Sequence, residues 1–490
     1  MSAYIPLPFD IVRMAYTAMA DAGFAPVPSD DLLHEVGQLD ERSGIDPGDS
    51  SVRDLRELLW SSIDNDDTRD LDQVEYVERL DDGALRVMVG IADVDAFVPK
   101  DSAADRYARL NGTSVYTGVV TFGMLPEHLS TDLTSLRAGC DRLAIVIELT
   151  IDERGNLLNR DIYRALVRNR AQLAYGAVAA WLDGDEGAIP SLRESPELAA
   201  QLRMQEEAGL RLRAAGRRNG ALNFETIEAR PVMDGGRLVD LAVVERNRAR
   251  DIIESFMVGA NSTMAAFLDT KGVPSIRRRV HAPYRWSRIV EIAARLGEQL
   301  PAAPDALALQ EFLARRQSID PVHFPDLSLS IVKLLGPSEY AVELPDDQEE
   351  DHFSLAAQDY THSTAPNRRY VDLVIQRLLK AVIAGAPQPY SFEELDDIAR
   401  HCTERSSQAR KVERLMRKAA AAEFLSAHIG EEFDAIVTGV SAKGTFARLL
   451  SPPAEGRVVR GEAGMDVGDA VRLRLTATSA AQGFIDFERA

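Results

Sequence analysis

Two kinds of apolar pattern alternate along this chain, and together they restrict its fold more than any other feature of the sequence. Residues 84–98 and 142–158 are rich in β-branched and aliphatic side chains, which is typical of buried strands. Four longer stretches repeat their apolar residues at helical spacing, over residues 197–218, 249–268, 369–385 and 393–428. Long helices mixed with buried strands predict a large α+β domain, for which a chain of 490 residues can bury a sufficient core.

The two ends of the chain differ from this central part. Close to the C-terminus, apolar and polar positions alternate in five short runs separated by glycine turns, which predicts a small β-barrel of the OB type. Near the N-terminus, residues 10–22 and 30–39 have helical spacing, with Ser29 available as an N-cap. A helix-turn-helix is one option for these two helices. The predicted domains are 1–52 (helical), 53–428 (α+β) and 429–490 (OB-fold barrel).

The sequence contains no feature of an exported or membrane protein. No apolar run approaches the ~18 residues that are needed to span a bilayer. The first residues lack the basic region and apolar core of a secretory signal. The only cysteines, Cys140 and Cys402, are too far apart to indicate a disulfide framework or a zinc site. We therefore expect a cytoplasmic protein without a membrane partner.

Charge is distributed unevenly along the chain, and this matters more than the net charge of −21. Residues 1–52 contain nine acidic and two basic residues, which argues against reading of DNA because phosphate binding needs cations. Arginines cluster instead in residues 211–218 and 275–288. An acidic exterior with basic interior patches would suit a protein that threads RNA through a channel. Solvated helix faces are the simpler alternative for such clusters.

The segment SIDNDDTRDLDQ, residues 62–73, contains the strongest indication of chemistry. Asp70 and Asp72 are two residues apart, so their side chains point the same way in an extended segment, and a loop can return Asp64 beside them. Three converging carboxylates repel one another unless cations lie between them. Hard oxygen ligands with few histidines favour Mg²⁺, or Mn²⁺, and such ions can act on both oxygens of a phosphodiester displacement.

Two other interpretations compete for this segment. Asp64, Asp66, Thr68 and Glu75 occupy positions 1, 3, 5 and 12 of an EF-hand calcium loop, but position 6, which is normally glycine, is Arg69. The flanking sequences also indicate strands rather than helices, so we reject the EF-hand. A solvated acidic loop is the second interpretation, and the segment taken alone fits it at least as well.

Several motifs in a fixed order resemble those of the ribonuclease II/R family with its RNB domain. The family signature is an aspartate, five residues, an aspartate, one residue and two further aspartates. Asp64, Asp70 and Asp72 match it, and Gln73 stands at the fourth position. The other matching motifs are DLRELLW, IADVDAFV, GTSVYTGVVTFGMLPEHLSTDLTSLRAG, RNGALNFETIEAR, RDIIESFMVGAN and YTHSTAPNRRYVDLVIQRLL. The resemblance covers residues 52–428, and an OB-type domain is also expected at the end of such a chain.

The resemblance implies an activity and a partner. The chain would be a 3′-to-5′ exoribonuclease in RNA degradation that hydrolyses single-stranded RNA to nucleoside 5′-monophosphates with Mg²⁺, and DNA is not expected to be a substrate. Asp64, Asp70, Asp72 and Gln73 would hold the metal. Asp70, Asp72 and Arg368 would take direct part in catalysis, and Arg368 would also contact the RNA at the scissile phosphate.

The resemblance further implies contacts with RNA. Tyr116 would stack on a base near the 3′ end, and Phe224 would be the second face of that clamp. Tyr175 and Glu254 would lie around the ribose, and Glu413 near the cleavage site. Ordinary core packing is the alternative for the aromatic residues, and a surface ion pair is the alternative for Glu413. Members of this family usually carry two cold-shock-type barrels before the catalytic domain, so a helical domain over 1–52 would be atypical.

Gln73 leaves two functions open. A neutral amide attracts a cation less than a carboxylate does, although its carbonyl oxygen can still coordinate. We expect a working enzyme with altered metal affinity, because Asp64, Asp70, Asp72 and Arg368 all remain. The alternative is a non-catalytic RNA-binding protein that is disabled by Gln73, and a DNA-specific nuclease is a weaker third option. Turnover of RNA in Mg²⁺ or Mn²⁺ separates the first two.

Overall fold

The fold is described from a computed structural model of the chain. The residues that the structure describes are 10–41, 44, 51–225, 228–234, 237–244, 246–345, 352–357, 359–441 and 444–490. Part of the predicted N-terminal domain, 1–52, therefore lies outside the described residues.

Helices and strands alternate along the chain from the N-terminus to the barrel. The helices are α1 (Ile11–Asp21), α2 (Asp30–Val36), α3 (Ala103–Asn111), α4 (Tyr175–Leu182), α5 (Pro190–Glu194), α6 (Pro196–Arg218), α7 (Arg248–Thr270), α8 (Trp286–Arg295), α9 (Ala306–Ile319), α10 (Phe324–Leu335), α11 (Tyr370–Ala384) and α12 (Phe392–Leu425). The strands are β1 (Arg53–Asp54), β2 (Trp60–Asp64), β3 (Gln73–Arg79), β4 (Leu85–Ala92), β5 (Val115–Tyr116), β6 (Thr121–Phe122), β7 (Asp141–Ile151), β8 (Leu157–Ala174), β9 (Glu228–Asp234), β10 (Arg237–Val244), β11 (Ser275–Arg279), β12 (Glu339–Glu343), β13 (Glu432–Ser441), β14 (Gly444–Leu449), β15 (Glu455–Arg460), β16 (Ala470–Ser479) and β17 (Phe484–Arg489).

The central sheet closes on itself, because its last strand also pairs with its second strand. Its strand order is β1-β8-β2-β3-β4-β7, and β7 also pairs with β8. The length of β8 makes this possible, because residues 157–168 pair antiparallel with β7 while residues 169–174 run parallel to β2. Every residue of β4 except Arg86 is buried or nearly so, as its apolar run predicts. The end of β2 and the start of β3 meet at one rim of this sheet.

Long helices pack on the sheet at the positions that the helical spacing predicts. Gln201 of α6 donates to the carbonyl of Val77 at 2.6 Å and accepts its N–H at 3.0 Å, which fixes α6 against β3. Helix α11 is almost completely buried, and its Arg377 forms ion pairs with Asp95 at 2.8 Å and Asp105 at 2.7 Å. Among the described residues no helix is both long and apolar enough to cross a bilayer.

Both predicted strand segments are shorter in the structure. The run over 84–98 ends its strand at Ala92, after which the buried carboxylate of Asp93 is paired with Lys380 at 3.0 Å. The run over 142–158 is divided by a turn, because Asp152 Oδ1 accepts the N–H groups of Arg154 and Asn156, both at 2.8 Å. At Asp152, local side-chain bonds to the backbone thus interrupt a strand that the apolar pattern would continue.

The C-terminal residues form the predicted barrel. Strands β13-β14-β15-β17-β16 close in that order. The barrel core contains the buried Leu473, Leu475 and Phe487, and Ala422 and Leu425 from the end of α12 pack into it. Helix α12 therefore connects the barrel to the larger domain. The α+β fold with an OB-type barrel is confirmed.

The described part of the N-terminal region consists of two helices that pack on the rest of the chain. Helix α1 lies against α12 and the β5–β6 hairpin, where the rings of Tyr16 and Phe122 meet edge to face with centroids 5.0 Å apart. Helix α2 packs near α3, and Glu35 accepts the N–H groups of Ala103 and Ala104 at 3.0 and 3.1 Å. Helices are thus present at residues 10–22 and 30–39, where the spacing predicts them, and α1 supports the hairpin that carries Tyr116.

Truncation of α1 at its buried face tests this support. Met19 is 2% exposed and packs against α12. Met19→Ala should lower the free energy of unfolding by about 2–5 kcal/mol, because the cavity that it leaves closes only in part. Urea denaturation followed by circular dichroism measures this loss. Arg13→Ala on the exposed face of the same helix is the control and should change little; equal effects of the two variants would contradict the packing of α1.

Candidate functional site

The candidate site begins where β2 ends and β3 starts. Asp64 is the last residue of β2, and Asp72 immediately precedes β3. Between them Leu71 is fully buried, and its N–H donates to Ser135 Oγ at 3.1 Å. Because neighbours of a buried residue in extended backbone point to the opposite side, Asp70 and Asp72 both face one pocket, as their spacing predicts. Strands rather than helices flank the loop, which agrees with rejection of the EF-hand.

The pocket has a volume of about 420 Å³. Seven of the predicted site residues line it: Asp64, Asp70, Asp72, Gln73, Tyr116, Tyr175 and Arg368. They come from the β2–β3 loop, from β3, β5 and α4, and from the segment that precedes α11. The fold therefore collects side chains that are up to about 300 residues apart in sequence.

The carboxylates of the pocket destabilise one another. Burial raises the pKa of Asp70, and burial raises the pKa of Asp72 to about 7, with Arg368 opposing and the charge of Asp70 adding to the effect. A divalent cation between these carboxylates would remove their repulsion. Carboxylate and amide oxygens are the ligands that Mg²⁺ and Mn²⁺ prefer, so the chemistry of this donor set fits such an ion.

The carboxylates are held by protein donors in this structure. Among the described residues no group of three His, Cys, Asp or Glu side chains is already arranged around one point as metal ligands. The bonds that hold the carboxylates run from Thr68 Oγ1 to Asp64 (2.9 Å), from Tyr116 Oη to Asp70 (3.2 Å) and from the N–H of Asn367 to Asp72 (3.0 Å). A carboxylate has two oxygens and about four acceptor sites, so each side chain can keep these bonds and still ligate a cation.

Two adjacent arginines differ in their exposure and in the carboxylates with which they pair. Arg369 is half-buried and pairs with Asp372 at 2.7 Å, so a neighbouring carboxylate balances its charge. Arg368 lines the pocket, is 45% exposed and places Nε 3.3 Å from Asp72 Oδ2. Its carbonyl accepts the N–H of Ser114 at 2.9 Å, which ties the arginine segment to the strand of Tyr116. Arg368 is thus positioned by its backbone and keeps a guanidinium available to a ligand.

Tyr116 lies beside the acidic loop. Its hydroxyl donates to Asp70 Oδ2 at 3.2 Å, and its ring remains 42% exposed. Its N–H donates to Glu413 Oε1 at 3.1 Å, so the structure brings Glu413 of α12 to the backbone of Tyr116 rather than into the pocket wall. Glu413 thereby orients the short strand β5.

Tyr175 lies across the pocket at the start of α4. The guanidinium of Arg250 stacks over its ring, with the central carbon 4.3 Å from the centroid, and donates to Asn65 Oδ1 at 2.8 Å. Burial raises the pKa of Tyr175, and the charges of Asp64 and Glu75 add to this effect. The ring therefore carries a neutral hydroxyl at the edge of an acidic pocket.

Besides Glu413, two further predicted residues do not line the pocket. The side chain of Phe224 packs with the cluster of α8, α9 and α10, and its carbonyl accepts from Arg246 at 2.6 Å. Glu254 is 60% exposed and pairs with Arg246 at 2.9 Å. Helical spacing places Glu254 on the same side of α7 as Arg250, so it lies near the pocket without belonging to its wall.

Sequence reasoning missed part of the lining. The additional residues are Asn65, Thr68, Arg250, Ile253, Met257, Asn261, Tyr360, Thr364 and Arg369. One signal was available, because Arg250 stands in the first turn of a helix, where a cation opposes the helix dipole. The aliphatic and amide residues have no such signal, since their spacing is that of ordinary helix packing.

Glu75 is a buried carboxylate close to the pocket. It follows Gln73 by two positions on β3 and is 0% exposed. Among the described residues neither of its carboxylate oxygens has a hydrogen-bond donor. Burial raises the pKa of Glu75 well above its usual value, and the charge of Asp64 adds to the effect.

A half-buried histidine lies next to the arginine segment. His362 Nδ1 and Tyr340 Oη are 2.7 Å apart and share a hydrogen bond. Burial, followed by the positive charges of Arg369 and Arg278, lowers the pKa of His362 well below its usual value. His362 is therefore neutral in the folded protein at physiological pH.

Comparison with known families assigns most of the chain. The RNB domain matches residues 52–385, and the RNase II-type exonuclease C-terminal S1 domain matches residues 431–490. Ribonuclease R 1 of Lactococcus lactis is 32% identical over 406 residues, which are 81% of this chain and 48% of that protein. The chain thus spans about half the length of that relative.

Solved structures show the same fold. RNase R of Mycoplasma genitalium superimposes with a TM-score of 0.87 at 22% identity, over 98% of this chain and 78% of that one, and it was solved in complexes with single-stranded and double-stranded RNA. Yeast Ssd1, a pseudonuclease, superimposes with a TM-score of 0.68 at 19% identity, over 83% of this chain and 50% of that one. Because the sequence identities are this low, these two comparisons show a shared fold and nothing further.

The neutral state of His362 predicts a loss of stability in acid. An unfolded histidine binds a proton near pH 6.5, whereas folded His362 does not, so the unfolded state binds more protons below this pH. Its contribution is complete above pH 6.5 and falls by up to about 1.4 kcal/mol per pH unit below it. His362→Asn should reduce this slope in urea unfolding between pH 7 and 5.5. Equal slopes in both proteins would show that His362 does not contribute.

Proposed function

The chain belongs to the RNB family, and on this premise we propose that it is a metal-dependent exoribonuclease that degrades single-stranded RNA from the 3′ end to nucleoside 5′-monophosphates. One observation carries the proposal. A single pocket contains three carboxylates, a guanidinium and an exposed aromatic ring, supplied by distant parts of the chain. This combination can hold a cation, a phosphodiester and a terminal base together. A relative named ribonuclease R and a related structure that binds single-stranded RNA support the choice of substrate.

Asp64, Asp70, Asp72 and Gln73 are the residues that would hold Mg²⁺ or Mn²⁺. When bound, the ion would supply a Lewis acid that activates water and stabilises charge on the leaving oxygen. The chain keeps these oxygens on one side of the β2–β3 loop through the buried Leu71. Gln73 would contribute the carbonyl oxygen of its amide, which is a weaker ligand than a carboxylate.

Arg368 would bind the scissile phosphate. A guanidinium donates two parallel hydrogen bonds to phosphate oxygens and remains charged at every relevant pH. In this structure its Nε contacts Asp72 at 3.3 Å, so a bound phosphate would lie directly beside the acidic loop. Arg368 can therefore stabilise the negative charge that develops on the phosphate during cleavage.

Tyr116 would stack on a base of the RNA 3′ end. Its ring is exposed at the pocket, while its hydroxyl and its N–H are fixed by Asp70 and Glu413. Stacking on a fixed ring does not discriminate between bases, which suits a degradative enzyme. Glu413 would act through Tyr116 as a positioning residue. Phe224 is not included in this clamp because its side chain packs with α8, α9 and α10.

Recognition of ribose would involve Tyr175 and Glu254. The hydroxyl of Tyr175 lies at the pocket and stays neutral, so it can donate to a sugar oxygen. Glu254 could accept the 2′-hydroxyl, which distinguishes RNA from DNA, once it is released from Arg246. We therefore expect DNA to be a poor substrate.

A non-catalytic RNA-binding protein is the second candidate. The neutral Gln73 in the wall of the pocket favours it, and the fold does not decide the question because a pseudonuclease shares it. Retention of Asp64, Asp70, Asp72 and Arg368 around one pocket favours the enzyme instead. Turnover separates the two candidates directly.

A time course on 5′-labelled single-stranded RNA tests the activity. In Mg²⁺ or Mn²⁺ we expect a ladder that shortens from the 3′ end to a small oligonucleotide, with nucleoside 5′-monophosphates as the released product. A DNA oligonucleotide of the same sequence is the control and should stay intact. Tight RNA binding with no shortening in either metal would identify the non-catalytic alternative.

Asp72→Asn separates chemistry from binding. Loss of one anionic ligand should lower the cleavage rate about 100-fold or more, while RNA affinity measured in EDTA remains almost unchanged. Asp66→Asn is a matched control, because Asp66 lies in the same loop but is exposed and outside the pocket lining. Loss of RNA affinity in Asp72→Asn together with activity would contradict this division of roles.

Tyr116→Ala tests the stacking contact. Removal of the ring should weaken binding of the RNA 3′ end by about 1–3 kcal/mol, which corresponds to roughly 5- to 150-fold in Kd. Tyr116→Phe keeps the ring and should bind RNA nearly as well, although it loses the bond to Asp70. Fluorescence anisotropy in EDTA measures both affinities. Equal losses in the two variants would assign the effect to the hydroxyl instead.

A further inference from the structure

Three carboxylates and one amide occupy the four positions of the acidic signature in the wall of the pocket. Asp64, Asp70 and Asp72 carry charge, but Gln73 presents a neutral amide at the start of β3. A site that binds a divalent cation depends strongly on the number of anionic groups around it. Other carboxylates close to Gln73 therefore affect how strongly the site attracts a cation.

Glu75 is the carboxylate nearest to Gln73 along β3. Side chains two positions apart on a strand point to the same face, so Glu75 points to the side on which Gln73 lines the pocket. Gln73 pairs with Ile91 and Glu75 with Val89 on β4, without a shift in register between them. Glu75 thus lies beneath the floor of the pocket, one strand repeat behind Gln73, and is 0% exposed.

The surroundings of Glu75 provide no donor for its carboxylate. Gln205 of α6 is the neighbouring amide, and its Nε2 donates to Ser61 Oγ at 3.0 Å and to the backbone carbonyl of Glu75 at 3.3 Å. Among the described residues Gln205 Oε1 has no donor either, so it adds a further unpaired acceptor to those of Glu75. A buried carboxylate without a donor destabilises the fold unless a proton or a cation compensates its charge. Unpaired acceptor oxygens next to an acidic pocket indicate a cation.

We propose that Glu75 belongs to the cation site and supplies, from beneath the floor, the negative charge that Gln73 does not. Its carboxylate acts on the cation directly or through one bound water. The proposal rests on the metal dependence of the proposed function, and it assigns to the site a residue outside its acidic loop. A chain with a neutral residue at position 73 can then bind a divalent cation without loss of the fourth anionic group.

A purely structural role makes opposite predictions. In that case Glu75 would carry a proton and donate it to Gln205 Oε1, and the pair would only stabilise the contact between β3 and α6. Glu75→Gln would then leave cation binding unchanged. Glu75→Leu would destabilise the fold, because Gln205 would lose its partner.

The test measures Mn²⁺ binding to the metal-free full-length chain by isothermal titration calorimetry, independently of RNA cleavage. Glu75→Gln should weaken Mn²⁺ binding by about 10- to 100-fold. The double variant Gln73→Asp/Glu75→Gln should recover most of the lost affinity, because it returns a carboxylate to the pocket wall. Glu78→Gln is the control on the same strand, since Glu78 pairs with Arg86, and it should bind Mn²⁺ as the wild type does.

A second variant covers the case in which Glu75→Gln does not fold. Glu75→Leu replaces an unpaired buried carboxylate by an apolar side chain, so it should keep or raise the melting temperature and still lose Mn²⁺ affinity. Unchanged Mn²⁺ affinity in Glu75→Gln or Glu75→Leu would overturn the proposal. RNA cleavage by the wild type is measured separately. If the wild type cleaves RNA and the variants bind Mn²⁺ unchanged, only the proposed role of Glu75 is refuted. If the variants bind Mn²⁺ more weakly and the wild type does not cleave RNA, only the nuclease activity is refuted.

Discussion

Asp72 connects the two parts of the chain on which the pocket depends. Its carboxylate accepts the N–H of Asn367, 295 residues away, at 3.0 Å and lies 3.3 Å from Arg368 Nε. The side chain of Asn367 in turn accepts from Thr134 Oγ1 at 2.6 Å, which fixes the arginine segment from a second side. These bonds bring the acidic loop and the guanidinium to one place. The contact of Tyr116 with Asp70 depends on the same arrangement.

Concentration of like charges in this pocket opposes folding, and the surrounding structure has to compensate for it. Burial raises the pKa values of Asp70, Asp72 and Glu75, which shows that each carboxylate would be more stable in water. The rigid parts lie directly behind them: β3 is paired with β4 along its whole length, and Leu71 is fully buried. A binding site whose carboxylates are buried close together gains most from a cation, because the ligand removes the repulsion that the fold tolerates.

The sequence determined the elements of this fold because they depend on local pattern. Apolar residues at helical spacing predicted α6, α7, α11 and α12, and five short runs predicted the barrel, since burial of one face requires that periodicity. The boundaries were less predictable. Asp152 interrupts one predicted strand through bonds to its local backbone, and the other strand ends before Asp93, whose carboxylate pairs with the distant Lys380.

For the site, the sequence determined which side chains face the same way and which chemistry they offer. The order of Asp70, Leu71 and Asp72 in extended backbone is enough to predict two carboxylates on one side. Only the tertiary structure decided which unpredicted groups join them, such as Arg369 beside Arg368 and Arg250 over Tyr175, and it placed Phe224 outside the pocket. The same holds for the unpaired carboxylate of Glu75. Burial and long-range pairing depend on how the elements pack together, and a linear pattern does not contain that information.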